Sequence, residues 1–188
     1  MVTKPKVKGV TDGVIRIRRI DLTDVDTIFA GVSASLESLS RWMPWASQRY
    51  SRDDACWFVA NAWLAWRQQA AYEFIIESMA DDRFLGMCGL NAISREDGRA
   101  NLGYWTVTGE YGKGVATAAA RMAAQFGFAQ LGLSRIRLFH AVENIGSQRV
   151  AEKIGFVLEG TQRKRMKLGG VMHDAKLYSL TSLDEIRR

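Results

Sequence analysis

The stretch Leu102-Gly103-Tyr104-Trp105-Thr106-Val107-Thr108-Gly109-Glu110-Tyr111-Gly112-Lys113-Gly114-Val115-Ala116-Thr117 decides how this chain is read. Leu102–Val107 is rich in aromatic and β-branched residues and predicts a strand. A turn follows at Thr108–Tyr111. Gly112-Lys113-Gly114 then runs into a helical pattern over Gly114–Leu131. On that helix Val115, Ala119, Met122, Phe126 and Ala129 share one stripe, and Thr117, Arg121 and Gln125 lie off it. A strand, a glycine-bearing turn and a helix start form a device suited to an anion. The first helical turn has N–H groups without intrahelical partners, and the macrodipole adds partial positive charge there. Glycines let a phosphate or pyrophosphate approach the backbone closely. The spacing is neither the Rossmann fingerprint nor a P-loop. The stretch alone therefore names no ligand, and a purely structural turn stays open.

Working outward, a second stretch has similar form. Val142-Glu143-Asn144-Ile145-Gly146-Ser147-Gln148-Arg149-Val150-Ala151-Glu152-Lys153-Ile154-Gly155-Phe156 follows a predicted strand, Arg135–Ala141. Asn144 suits an N-cap, Val150 and Ile154 face inward, and Gly155 suits the residue after the helix. Ser147, three residues after Asn144, projects from the same face of the helix start. Toward the N-terminus, Val14–Ile20 alternates apolar and basic residues and predicts a strand. Thr23-x-x-Asp26 and Ser51-x-x-Asp54 have capping-box spacing before helical stripes. Pro44, within Trp42-Met43-Pro44-Trp45, argues against a continuous helix over Leu36–Tyr50. Tyr72–Glu77 and Phe84–Ile93 predict strands, as do Phe156–Arg165 and Val171–Leu180, the last two joined by a Gly169-Gly170 hairpin turn. The order is β-αα-βββ-α-β-α-ββ, α+β in class. Residues 1–12 read as a flexible lead-in and 13–188 as a single domain.

Composition bounds the remaining choices. The 188 residues suffice for one domain with a sizeable core, and 47% hydrophobic with 24% charged residues is an ordinary globular balance. No apolar run reaches the length of a membrane span, and no signal-peptide pattern opens the chain, so a cytoplasmic protein is expected. Cys56 and Cys88 stand far apart with only two histidines in the chain, which argues against a metal site and for reduced thiols. A net charge of +6 suits an acidic partner or a polyanionic cofactor. No nucleic-acid-binding motif accompanies it.

Gly103-Tyr104-Trp105, Tyr111-Gly112-Lys113-Gly114-Val115-Ala116-Thr117, Asn144-x-x-Ser147-x-x-Val150-Ala151-x-Lys153-x-Gly155-Phe156 and Leu158-Glu159-Gly160 stand in order at spacings that resemble the GCN5-related N-acetyltransferase (GNAT) superfamily. Trp42-Met43-Pro44-Trp45, His173-Asp174 and Leu177-Tyr178 add a likeness to its Rim-type ribosomal-protein N-terminal acetyltransferases. The resemblance covers Ile15–Leu180. It implies a mixed, mostly antiparallel central sheet with a splayed strand pair, flanked by helices. It also implies acetyl transfer from acetyl-CoA to a primary amine, without a metal. The pantetheine arm would lie in the splay against Trp105, Thr106 and Val107. The pyrophosphate would rest on Gly112, Lys113, Gly114, Val115, Ala116 and Thr117, with Asn144 and Lys153 also in the cofactor's reach. Tyr111 stands where the family carries Gln or Arg, so the phosphate grip is expected to lean on backbone amides.

The chemistry needs a neutral amine, although an N-terminal amine titrates near ~8 and a lysine near ~10. It also needs donors for the oxyanion and for the departing thiolate. Ala151 occupies the position where many relatives place a tyrosine acid. By the resemblance, Ser147 is then expected to meet the thiolate, with Asn144 holding the pantetheine or substrate. The family's strand carboxylate position is Asn101, and the Rim-branch one falls at Met166. Glu73, Glu77, Glu143 and His140 remain as candidate bases, beside direct attack with water-mediated deprotonation. Trp42, Trp45, Tyr50 and Tyr104 are expected to contribute to the acceptor cleft, or, for the front aromatics, to the core around Pro44. The leading expectation is a protein N-terminus as acceptor. A small amine (an antibiotic, an aminoacyl compound or a polyamine) and a non-catalytic CoA-binding module are the alternatives. A monomer or homodimer is expected.

Overall fold

The computed structural model describes residues 9–187. Eight strands form one sheet: β1 (Val10–Thr11), β2 (Ile15–Arg19), β3 (Tyr72–Ser78), β4 (Phe84–Ser94), β5 (Arg99–Thr106), β6 (Arg135–Ala141), β7 (Val157–Leu168) and β8 (Val171–Thr181). Their spatial order is β1-β2-β3-β4-β5-β6-β8-β7. All neighbours are antiparallel except β5 and β6. The chain enters the sheet at Val10–Thr11, inside the stretch read as a lead-in; residues 1–8 lie outside the described residues.

Alternation along the strands feeds two cores, one on each face. Phe74, Leu90 and Leu102 pack with α4 (Val115–Leu131) and α5 (Ile145–Ile154). Ile75 and Met87 point the other way, to α1 (Val25–Ala34), the short α2 (Leu36–Ser40) and α3 (Arg52–Gln68). Small residues bring α4 close to the sheet. Ala119, Ala120, Ala123 and Ala124 are fully covered, and a Cβ on Gly127 would fall 2.9 Å from the side chains of Ile136 and Leu90. The buried stripe therefore ends at Phe126 and Gly127, and Ala129, expected on it, is exposed.

Two helix starts differ in outcome. Ser51 and Asp54 form the expected reciprocal cap of α3. The first capping box lies two residues earlier than expected, at Asp21 and Asp24. Asp21 Oδ1 accepts from the Thr23 amide and Asp24 Oδ2 from the Asp21 amide, at 3.1 and 2.7 Å. Asp26 is then free to bind Arg52 Nε at 2.7 Å, tying α1 to α3. Between them Leu36–Ser40 makes one short helix before Pro44, an element not legible in the pattern.

The parallel pair sets the stage for the site. β5 and β6 are in register at Arg99/Arg135, Ala100/Ile136 and Asn101/Arg137, and no further. From Leu102 onward β5 continues along β4 only, so its other edge turns unpaired backbone groups into a cleft. The splayed pair implied by the resemblance is present, and it opens at Asn101.

Candidate active site

Two cavities meet at the splay. The larger, about 910 Å³, is a groove between the α4 start, the α5 start and the front segment. Trp105 and Thr106 of β5, Gly112, Gly114, Val115, Ala116 and Thr117 of the turn and α4, and Asn144, Ser147 and Lys153 of α5 all line it. Its α4 end fits an anion. Gly114 caps the helix with φ of 85°, no side chain occupies the cap, and no acid sits in the first turn. Gly112 is also left-handed at φ of 77°, and neither glycine has an atom within 4 Å of where a Cβ would stand. The unpartnered amides of the first turn therefore face open space, where a pyrophosphate could rest.

Two expected contacts lie elsewhere. The Lys113 ammonium sits 3.4 Å from Glu110 Oε1, which also accepts from Arg83 at 2.7 Å, and Lys113 does not line the groove. Arg83 is the larger influence, with Lys113, in holding the Glu110 carboxyl below its ordinary range. The Val107 amide donates to Leu85 O at 2.9 Å and is spent in the sheet. Tyr111 is engaged at the front of the groove. Its hydroxyl donates to Ser38 Oγ at 2.8 Å; Ser38 lies 2.9 Å from Thr108 Oγ1, and Ser35 Oγ accepts from the Thr108 amide. These bonds fasten the turn to α2 and build the groove's rim.

At the inner end of the groove, Asn144 Oδ1 accepts from the Ser147 amide at 3.0 Å, so the asparagine is the N-cap of α5. Its amide nitrogen stays available as a donor. Ser147 Oγ lies 2.8 Å from Tyr104 Oη, and the Tyr104 hydroxyl also reaches the Ser147 carbonyl at 3.3 Å. Burial pushes the Tyr104 phenol above its ordinary value, against the bond to Ser147, so it stays protonated. Tyr104, expected only as an acceptor contact, thus joins Ser147 in a two-hydroxyl pair across the splay. Sequence held one signal for it: Tyr104 stands in the Gly103-Tyr104-Trp105 motif.

The second cavity, about 620 Å³, opens on the α1–α3 face. Trp45 and Tyr50 line it, whereas Trp42 lines the larger groove. Trp45 lies edge-on to Trp105 at 6.2 Å and beside Tyr50 at 6.0 Å, and Phe29 stacks on Tyr50 at 6.2 Å. These aromatics therefore pack on one another, and Trp45, Tyr50 and Trp105 also face the cavity. Burial, helped by Asp54, pushes the Tyr50 phenol up to about 12. Met43, Tyr104 and Trp105 border both cavities, which makes β5 the wall between them.

The four candidate bases separate by position. Glu77 is buried in ion pairs with Arg16 and Arg18. Glu143 is exposed on the groove rim, 3.5 Å from His173. His140 is buried, with Nδ1 against Ala141 O at 2.8 Å and its ring stacked on Tyr178; burial lowers its pKa, and it lines neither cavity. Glu73 lines the second cavity. Among the described residues no cluster of His, Cys, Asp or Glu could hold a metal ion, and no helix is long and apolar enough to cross a membrane.

The profile of the acetyltransferase (GNAT) domain family matches residues 15–157. YdaF of Bacillus subtilis, provisionally named a ribosomal N-acetyltransferase, is 31% identical over 168 residues, covering 88% of this chain and 90% of YdaF. The ribosomal-protein-serine acetyltransferase of Escherichia coli is 30% identical over 59% of this chain and 62% of its own length. Two solved structures share the fold. A RimL ribosomal L7/L12 alpha-N-protein acetyltransferase in complex with coenzyme A superposes with a TM-score of 0.85 at 22% identity, covering 92% of this chain and 96% of that one. The ribosomal-protein-S5-alanine acetyltransferase of Vibrio fischeri gives 0.87 at 21% identity, covering 94% and 97%.

Proposed function

The chain belongs to the GNAT acetyltransferase family, and from that membership we propose that it moves the acetyl group of acetyl-CoA to the α-amine of a protein N-terminus. The observation that carries the reading is the meeting of an anion-ready groove and an aromatic pocket on either side of β5, at the splay. A long cofactor laid in the groove from the α4 amides inward would end at Tyr104 and Ser147. An amine in the aromatic pocket would approach the same point from the opposite face. The names of YdaF and of the Escherichia coli relative supply the acceptor class, and the net charge of +6 suits an acidic polypeptide. The same chemistry fits a protein working in the cytoplasm, where acetyl-CoA and nascent N-termini meet.

In this reading the residues divide the work. Gly112, Gly114 and the amides of Val115, Ala116 and Thr117 hold the pyrophosphate, and Lys153 adds positive charge nearby. The free edge of Trp105 and Thr106 aligns the pantetheine arm, with the Asn144 amide as a further donor. Attack of the neutral amine forms the C–N bond and places negative charge on the carbonyl oxygen. Collapse breaks the C–S bond. Ser147 meets the leaving thiolate with its proton, and Tyr104 Oη at 2.8 Å is placed to replace that proton.

Acceptor choice tests the proposal. Thiol release from acetyl-CoA is measured with peptides bearing free N-termini and, in parallel, with polyamines, aminoacyl compounds and aminoglycosides. Faster release with peptides, and a mass shift confined to their α-amine, is expected. Turnover confined to the small amines would overturn the acceptor class and leave the transferase reading intact.

A further inference from the structure

On the α1–α3 face of the sheet, three residues stand in one cross-strand row: Glu73 on β3, Gly89 on β4 and Gly103 on β5. Residues directly opposite in an antiparallel pair share a face, so both glycines lie on Glu73's side. With no side chain at either, a trough runs from the carboxylate to β5. The row on one side is Asn91 and Asn101; on the other it is Ile75, Met87 and Trp105. The Glu73 carboxylate leans into this trough: a Cβ on Gly89 would fall 2.1 Å from Oε2 and 2.5 Å from Cδ. Only glycine at 89 leaves the carboxylate that place.

We propose that Glu73 is the base of the transfer, taking from the acceptor's ammonium, directly or through one water, the proton it must lose before it attacks. The assignment rests on the N-acetyltransferase reading above. Glu73 and Gly103 line the same cavity as Trp45, Tyr50 and Trp105, and that cavity borders Tyr104 at the splay. An amine held over Gly103 has the carboxylate at one end of the trough and the reacting carbonyl at the other. No cation pairs with Glu73 among the described residues, whereas Glu77, two pleat repeats further along the same strand, is pinned by two arginines. Its polar neighbour is Asn91, which stabilises the charged form; Asn91 Oδ1 in turn accepts from Asn101 Nδ2 at 3.2 Å. Burial outweighs that bond and raises the carboxyl from 4.5 to about 7, so it can accept a proton near neutral pH and also release it.

The charged and titratable groups facing Glu73 are few. Arg49, Tyr50 and Asp54 line the cavity from the front segment and the α3 start, and Cys88 lies beside it on β4. Burial, and then the Glu73 charge, push the Cys88 thiol well up, so Cys88 stays protonated. The proton balance closes. Glu73 takes one proton from the ammonium and passes it to water. The neutral nitrogen attacks, the tetrahedral adduct loses its second nitrogen-bound proton, and the thiolate gains one from the Ser147–Tyr104 pair, which that second proton restores. The net products are amide, thiol and one released proton.

The test uses wild type, Glu73→Gln and Glu73→Asp with a peptide acceptor, across pH 5.5–9 on the order of a tenfold concentration range around KM. Glu73→Gln is expected to lose about 10²-fold in kcat, to lose the limb of the pH profile near neutrality, and to bind acetyl-CoA as wild type does. Glu73→Asp should keep the limb with part of the rate. A peptide whose N-terminus is a hydrazide, already neutral at pH 6, should be acetylated at nearly equal rates by wild type and Glu73→Gln. A structural defect would slow both acceptors alike, so this ratio remains informative even if the variant is less stable. Wild-type kcat and pH profile in Glu73→Gln would overturn the assignment, and so would a change in KM alone. Wild type that turns over no amine at all would instead overturn the transferase reading beneath it.

Discussion

Ser147 illustrates how one side chain acquires a role from its surroundings. As a helix residue three places after an N-cap it is unremarkable, and its amide is fully used by Asn144. Its hydroxyl, however, faces Tyr104 across the splay. Replacing Ser147 with alanine removes the donor proposed for the thiolate and leaves the α4 amides untouched. Turnover is expected to fall about 10- to 100-fold with acetyl-CoA affinity within about twofold of wild type; equal steady-state rates would remove Ser147 from the mechanism. Glu73 makes a second prediction, this time in stability. Its folded pKa of about 7 exceeds the ordinary 4.5, so between those values the native protein binds more protons than the unfolded chain. Stability contributed by that proton is present below about 4.5 and is lost as pH rises through 7. Glu73→Gln should flatten this decline and melt no lower than wild type at pH 8, as read by thermal unfolding at several pH values. A steeper decline in the variant would contradict the environment described for the carboxylate. Ser147 was signalled by its motif and its spacing from Asn144, whereas the importance of Glu73 could not be read from its neighbours in sequence. Glu73 owes it to two glycines on other strands, and strand register is not written in any one strand.

At the scale of elements, the α4 start was the most legible part of the chain. Its glycines, the strand before it and the apolar stripe behind it each have a local cause, and each is present in the structure. Gly114→Val should weaken CoA binding by about tenfold or more, because a branched side chain fills the anion's approach. A left-handed φ also costs a non-glycine residue ~1–2 kcal/mol. Unchanged CoA affinity by calorimetry would contradict the placement of the phosphate. The front of the chain was less legible, since Asp21 and Asp24 compete with Thr23 and Asp26 for one helix start, and only tertiary partners decide. Arg18 is that partner: it binds Asp24 at 2.6 Å and Glu77 at 2.7 Å, joining β2, β3 and the turn before α1. Those two carboxylates are the larger influence in raising its pKa, against burial. Arg18→Ala would leave two buried carboxylates short of a cation, at a cost of about 2–3 kcal/mol. Melting should fall by about 5–10 °C at pH 7. A loss below 1 °C would show that Arg16 alone carries Glu77.

At the scale of the molecule, the fold positions chemistry by a defect in its own sheet. Seven strand pairs are possible in an eight-stranded order, and the one parallel pair is also the one that parts after three residues. The larger groove enters that gap from the α4 side and the aromatic pocket meets it from the α1–α3 side. The order of elements and the family motifs foretold the gap, because they are local. The pairing of Trp45 and Tyr50 with Trp105, the capture of Lys113 by Glu110 and the hydroxyl pair at Tyr104 were not foretold, because each joins segments far apart in the chain. In the proposed mechanism the two cavities deliver an acetyl donor and an amine to one point. The most direct measurement of that mechanism is thiol release from acetyl-CoA, with mass analysis of the products, across N-terminal peptides and small amines. Stoichiometric CoA release with acetylation of a peptide α-amine is expected. Tight CoA binding with no release above background for any acceptor would contradict it.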